Sequence, residues 1–511
     1  MSRIIISTKA EFIKFGKTFT SEDLKMDAKK NFVTYEEFGA VGDGKTDDMP
    51  AIVACHDFAN ANGLDVRAKD GAEYYIGGKA ISAKIMTNTN FGTAKFTIDD
   101  RDVEDIHKYC FEVVSANEPF TPEIKEIKAG QKKIDFPHEG TVYVRVEGDP
   151  EHRVFVRKGL NMNSGSVPAE AFIVDGDGNI LTDINWDYPI ISSAMAKNVD
   201  DEPITVEGGI FTTIANQWKC EYASHARGFT ITRSNVVIKD MQHFVTGELP
   251  DHGAPYGGFI AIGKSYNVTV KDTLLTPRFA YMMDSKVPGQ KVWMGTYDLG
   301  MTHAIGSKLI NLKQSRPLDA GEFWGIMGTN YCKDMLIEDC EISRFDAHCG
   351  ITNCTIRRSK FGHAGLNLIG FGKFLIEDSS INAPRFINFR SDYGSFFIGD
   401  VTVKNCVWKP RFNRDLCIFS AYNEGDHDFG YECKLAENLT VDGLVVDDLH
   451  IDADKTLNVI TPYDNNFEKG KPYAYKLPEK FVVKGVKSLS GKEVGFTTAP
   501  EQYEDCEIEF D

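Results

Sequence analysis

Asn31–Gly63 reads NFVTYEEFGAVGDGKTDDMPAIVACHDFANANG. It parses as an extended run, a Gly42-Asp43-Gly44 turn and an amphipathic helix. Asp47 or Asp48 stands at the N-cap, and Pro50 suits a first helical turn, where its missing N–H would be unbonded anyway. Ala51, Ile52, Cys55, Phe58 and Ala59 recur at helical spacing and give the helix one apolar stripe that needs a partner. After this point helical periodicity almost disappears, and the partner must be built from β-structure.

A repeat supplies that partner. Ser234–Asp240 (SNVVIKD), Tyr266–Asp272 (YNVTVKD), Cys332–Asp339 (CKDMLIED), Gly372–Asp378 (GKFLIED), Gly399–Asn405 (GDVTVKN) and Glu437–Gly443 (ENLTVDG) share one pattern. Each is a polar turn, an alternating β-branched triplet, then Asp, Asn or Gly. The spacing is irregular, about 25 to about 40 residues, as stacked coils with one variable loop produce. Ile351-Thr352-Asn353-Cys354 resembles the motif but follows its neighbour too closely for a whole coil. One such unit cannot bury its inward face alone. The expected fold is therefore all-β: a right-handed parallel β-helix whose open N-terminal end is capped by the 31–63 helix.

The rest of the chain divides around this body. Residues 1–30, with a short β-like run at Ile4–Ser7, read as an N-terminal arm, and 31–117 as the cap and first coils. Residues 118–203 differ: Ile124–Ile127 and Thr141–Val146 alternate strictly, as half-buried antiparallel strands do. Asp175-Gly-Asp-Gly-Asn179 is a hairpin turn, since it lacks the bidentate Glu and flanking helices of a calcium loop. This region is expected to be a small inserted β subdomain. Residues 204–450 form the main β-helix, and 451–511 the C-terminal coils.

The net charge of −18 argues against a general nucleic-acid binder, which needs a basic footprint. The 11 cysteines form no CxxC pair or regular framework, and Asp339-Cys340, Asn353-Cys354 and Asn405-Cys406 read as buried thiols in a reducing compartment. No stretch reaches membrane-spanning length, and the first residues lack a signal-type apolar run. The expected location is the cytoplasm, or outside the cell if a leader has been trimmed; no membrane partner is expected, and oligomeric state is left open.

Phe38-Gly-Ala-Val-Gly-Asp-Gly-Lys-Thr-Asp-Asp48, followed by the Ala-rich helix and its Gly63 stop, resembles the N-terminal signature of the pectin-lyase-like superfamily. It is most similar to the branch of rhamnogalacturonases, polygalacturonases and "pectate lyase superfamily" proteins. The resemblance implies a carbohydrate-active enzyme with a groove along the side of the β-helix. It does not fix the reaction, because hydrolases, lyases, epimerases, esterases and phage tailspikes share the fold. Of the four motifs of polygalacturonase-type hydrolases, only a Gly-His-Gly is approached, by Gly362-His363-Ala364-Gly365.

Residues just after equivalent strands stack on one side of a β-helix. Three neighbouring coils there carry Asp346 and His348, His363, and Arg390 with Asp392, the candidate catalytic set. Asp346 and Asp392, or either with Asp319 or Glu322, would supply the two carboxyl groups of glycoside hydrolysis. β-Elimination would instead use His348, His363 or Tyr393 as base and Arg390 to neutralise a uronate. Trp324, Asn367, Tyr393, Tyr297 and Asp298 complete the candidate substrate-binding set, with Trp293 and Tyr256 as further stacking rings. Asp251-His252 and Asp426-His427-Asp428, beside Asn423 and Glu424, are peripheral candidates. Ligand type would allow a metal at Asp346, His348 and His363, but the spacing demands none, and no cofactor is expected. Hydrolysis leads; lyase chemistry and a tailspike-like or non-catalytic glycan-binding β-helix are the alternatives.

Overall fold

The structure is a computed structural model that describes residues 12–14, 17–19, 30–218, 225–249, 258–423, 427–470 and 475–511. Ile4–Ser7, Asp251, His252, Tyr256, Glu424 and Asp426 lie outside the described residues. Among the described residues, thirty-two strands pair into one network. It winds into three parallel sheets along the molecular axis. Sheet A runs from Ala83–Ile85 through Phe229–Ile231 and Leu299–Thr302 to Val494–Gly495. Sheet B runs from Phe32–Thr34 through Val236–Lys239 and Val268–Lys271 to Glu507–Phe510. Sheet C runs from Asp43–Asp47 through Ile210–Ile214 and Gln242–Thr246 to residues 486–488.

Register explains the triplets. In sheet B, Val206, Ile238, Val270, Leu309, Ile337, Ile356, Ile376, Val403, Val441 and Val483 sit directly above one another, all buried. Each contributes about 1.5–3 kcal/mol by leaving water, which no single coil could arrange alone.

The residue that closes each triplet turns the chain from sheet B to sheet C. Asp240, Asp272, Asn311, Asp339, Arg358, Asp378 and Asn405 all have φ between 48° and 57° there. This left-handed region is tolerated best by Asn, Asp and Gly, which is why the repeat ends as it does. Successive corners lie as little as 19 residues apart (Asp339 to Arg358) and as much as 42 (Gly443 to Gly485), a wider range than the sequence motif indicates. The Asn353 motif belongs to a different corner. With Asn235, Asn267 and Asp334 it has φ of 53–56° and turns the chain from sheet A into sheet B. Cys340, Cys354 and Cys406 are free and buried beside these corners.

The helix Met49–Asn62 packs on Phe32–Thr34, Asp65–Arg67 and Ala83–Ile85, the first strands of the body. Met49, Ile52, Val53, Cys55, Phe58 and Ala59 are buried against them. Asp48 occupies the N-cap position, but its side chain does not cap the helix. Its carboxylate instead accepts from the amides of Val41 and Gly42 at 2.6 and 3.1 Å, tying down the preceding turn. Gly63 ends the helix at φ 64°. No helix among the described residues is long and apolar enough to cross a membrane.

Between sheets A and B the chain leaves the body to form a separate antiparallel sheet. Val142–Glu147 is its central strand, between Ala169–Val174 and Ser193–Asn198. It has its own core, which includes Ile127, Phe136, Val144, Phe172 and Tyr188. Ile124–Ile127 is not a strand. The stretch follows Pro122 and makes only an isolated bridge, Ile127 to Tyr188, while its isoleucines still bury in that core. The Asp175 turn is held by the Asp175 carboxylate accepting from the amides of Asp177 and Asn179, both at 2.9 Å. The module docks on the body through the buried Lys333–Glu170 ion pair and through Asn185 Nδ2 donating to Thr352 Oγ1 at 2.8 Å.

Candidate functional site

Pairing in sheet A lines up one row of outward positions: Thr230, Ala261, Gly300, Gly328, Asp346, Asn367, Asn388 and Ser420. The first four are small and leave the strands' outer face open. The rest are polar. At about 4.8 Å per rung, Thr230 to Asp346 spans about 19 Å. A cleft of about 450 Å³ lies over this small row. Tyr109, Tyr281, Met294 and Tyr297 line it, with Asn330 and His348 among its polar groups. Tyr281 and Met294 face each other across a hairpin, Tyr281–Asp284 paired with Lys291–Met294, that stands beside the cleft.

The small row ends at a buried ionic cluster. Asp346 accepts from Arg390 Nη1 at 2.7 Å, from Arg344 Nη2 at 2.8 Å and from the Tyr297 hydroxyl. Arg390 also grips Asp392 with two bonds, Nε to Oδ1 at 2.9 Å and Nη2 to Oδ2 at 2.7 Å. Arg157, from the inserted module, donates Nε to Asp392 Oδ2 at 2.6 Å. Burial alone would push both carboxyl groups up, but the arginines outweigh it. Asp346 is held well below the usual carboxylate range, and Asp392 is brought down to about 2. Both are ionised at neutral pH.

His348 stands two residues beyond Asp346 at a β-bulge: Thr329 pairs with Ala347, but Asn330 pairs with Cys349. The extra residue re-aims the side chain, as bulges beside functional sites do. Burial, aided by Arg390, lowers its pKa to about 4, so the ring is neutral. Nδ1 lies 3.2 Å from Asn330 Oδ1 and Nε2 3.5 Å from the Tyr393 hydroxyl. Nδ1 also lies 3.4 Å from the Cys349 thiol; in the tautomer that donates from Nδ1 to Asn330, Nε2 is an acceptor. Burial raises the Tyr297 pKa well above its ordinary value, so the phenol keeps its proton.

No family model matches the chain, and no curated protein matches it. Solved structures do. The tailspike gp61 of Pseudomonas phage phi297 superposes with a TM-score of 0.54 over 94% of this chain and 84% of that one, at 10% identity. What the two share is the fold, a right-handed parallel β-helix. The tailspike gp49 of Pseudomonas phage LKA1 matches at 0.47 (11% identity, 89% and 81% covered). The Streptococcus pneumoniae adhesin PfbA matches at 0.43 (14% identity, 91% and 100% covered).

Of the residues singled out in the sequence, this β-helix gathers Asp346, His348, Arg390, Asp392, Tyr393 and Tyr297 at one end of the cleft. Asn367 is the register neighbour of Asp346 and accepts from Asn388 Nδ2 at 2.9 Å. Trp324 flanks the cluster, with the Arg344 guanidinium 4.2 Å over its ring. His363 stands apart: its Nδ1 lies 3.3 Å from the Leu318 carbonyl, and it does not line the cleft. The Asp346–His348–His363 set is therefore not assembled, and no group of three or more metal-ligating side chains occurs among the described residues. Asp319 and Glu322 are solvent-exposed on the loop before Trp324, Asp319 turning to Arg411 at 3.9 Å, in contrast to the buried carboxylate of Asp346. Asp298 belongs to the interior. It is fully buried and accepts from His243 Nδ1 at 2.7 Å and the Thr276 amide at 2.9 Å, so no ligand reaches it. His427 turns to Asp464 at 3.0 Å.

Sequence reading passed over Arg344, Asn330, Tyr109, Tyr281 and Arg157. Strand alternation would have found Arg344, since residues 344, 346 and 348 share one face. Nothing in the sequence ties Arg157 to Asp392.

Proposed function

We propose that the protein binds an extended glycan in the sheet A cleft and cleaves it at the Asp346 end. One observation carries this reading: a row of small residues, walled by aromatic rings, runs directly into a charged acid–base cluster. Pyranose faces present C–H groups to rings such as Tyr109 and Tyr281, while Thr, Asn and His side chains meet hydroxyls.

The geometry supports β-elimination on a uronate-containing chain best. Nε2 of the neutral His348 takes the proton at C5 of the uronate, and the C4–O bond breaks as the C4=C5 double bond forms. The leaving oxygen takes the phenolic proton of Tyr297. Arg344 and Arg390 offset negative charge that develops beside Asp346. Glycoside hydrolysis is the second reading, favoured by two carboxylates sharing one arginine. It requires one of them to be a protonated acid, and Arg390 opposes that in both.

The test is a panel of uronate-containing and neutral polysaccharides, read for ultraviolet absorbance of unsaturated uronates and for new reducing ends. Wild type is compared with Tyr297→Phe and His348→Ala. Absorbance growth lost in both variants supports elimination. Reducing ends without absorbance establish hydrolysis instead, and binding without products leaves a glycan-binding β-helix. Full activity in both variants overturns the site.

A further inference from the structure

We infer that the cleft is stopped at its Asp346 end by a strap, so that it takes the end of a glycan chain rather than its interior. This rests on the glycan-cleaving reading above. The strap has two feet. The hairpin Tyr281–Asp284 and Lys291–Met294 leaves the chain between Leu274–Leu275 of sheet C and Leu299–Thr302 of sheet A. It therefore rises from one margin of sheet A. The inserted module leaves between Phe111–Val113 of sheet A and Ile204–Glu207 of sheet B, which is the opposite margin. The two meet: the Lys286 amide donates to the Leu160 carbonyl at 3.0 Å. Elements rising from opposite margins of a sheet touch only by reaching across its outer face.

Both feet converge on the Asp346 cluster, one from the Gly300 rung and the other from the rung of Asn388. The hairpin returns to the body through Gly295, packed against Trp324, and Tyr297, whose hydroxyl bonds Asp346. The module's foot is Arg157 on the Asp392 carboxylate and the Lys158 amide on the Asp392 carbonyl at 2.9 Å, just before Leu160. The strap thus crosses between the rungs of Gly300 and Asn388, the stretch in which the small row gives way to the polar one. A polymer lying along Thr230, Ala261, Gly300 and Gly328 arrives at His348 and Tyr297 with the strap across its path. A chain end fits this arrangement. An interior segment would have to continue beneath the crossing.

The experiment uses alginate, polygalacturonate and hyaluronan oligosaccharides of defined length, labelled at the reducing end, with the matching polymers followed by viscometry. The expected wild-type result is one small product size from the first turnovers and a late fall in viscosity. Two variants open the strap: replacement of residues 285–290 by Asn-Gly, a two-residue hairpin turn, and Lys286→Pro, which removes the N–H donated to Leu160. Each is expected to give a ladder of lengths and a several-fold faster viscosity fall per bond cleaved. A random ladder from wild type at the outset overturns the strap while leaving the cleaving function intact. No cleavage of any polymer overturns the functional reading, and the strap's role falls with it.

Discussion

Arg157 and Asp392 are 235 residues apart in sequence and 2.6 Å apart in space. The contact joins the inserted module to the ionic cluster, and through Asp392 and Arg390 it reaches Asp346. Asp392 thereby holds the Arg390 guanidinium, which bonds Asp346 in turn, although its sequence context reads as catalytic.

Arg157→Ala is expected to loosen this chain without dissolving it. Asp392 keeps its two bonds to Arg390 but loses one charged donor, at a cost of about 1–3 kcal/mol. Turnover should fall further than stability, because Arg390 is left less constrained over Asp346. Arg157→Lys keeps the charge but not the planar fork, so it should recover only part of the loss. Thermal unfolding and steady-state kinetics of the two variants together decide the matter; unchanged kinetics in Arg157→Ala would remove the module from the site.

Acid should destabilise the fold in two stages. His348 and His225 are lowered to about 4, and His56 and His303 to about 3, burial being the main cause in each. Unfolded, these rings bind protons near their ordinary value of 6.5; folded, they do not. The unfolded chain therefore holds more protons below that value, and stability falls as pH drops from about 6.5 toward 4. Asp346 and Asp392 lie below their ordinary value of 3.8, so their contribution is present above it and is lost toward about 2. Unfolding free energy measured from pH 8 to 3 should decline before the carboxylates titrate. A flat profile down to pH 4.5 would contradict the buried neutral histidines.

Asp298→Asn separates interior from site. The carboxylate is buried with His243 at 2.7 Å and Arg278 at 3.7 Å, and His243 in turn lies 2.9 Å from Thr213 Oγ1. Neutralising one member of a buried charged network costs about 3–5 kcal/mol. A large drop in thermal stability is expected, with glycan affinity of the remaining folded protein unchanged. Weakened affinity at full stability would return Asp298 to the binding set.

The fold was legible because it is periodic. Each coil repeats an inward triplet and a left-handed corner, and both constrain residue type strongly enough to show in one chain. The coils between Asp339 and Asp378 were harder to place, because two different corners use the same Asn and Asp chemistry. The site was legible only where strand alternation reports it. Asp346 and His348 share a face, but so do many turn residues such as Asp319, and nothing local distinguishes a buried carboxylate from an exposed one. Asp298 illustrates the converse: it has the parity of the outward Gly300, yet it lies in the bend just before the strand and is fully buried, so alternation does not report it. Contacts made by the inserted module depend on how two bodies dock, and that leaves no period in the sequence.

The small row itself can be tested through Gly328→Ala. A Cβ at this position would lie 2.6 Å from Cε2 of Tyr297, closer than real contacts allow. Neighbouring strands are fixed by pairing to Gly300 and Asp346, so the ring has to yield. Its displacement takes the phenol from Asp346 and narrows the cleft at the point where the chain end is expected to rest. Gly328→Ala should therefore match Tyr297→Phe in lost turnover, on the order of 10²–10⁴-fold for a displaced acid–base group, while the fold persists because strand hydrogen bonds are untouched. It should also weaken glycan binding, which Tyr297→Phe should not. Equal binding in the two variants, measured by calorimetry on the most active polymer, would show that the glycan does not lie over the glycine row.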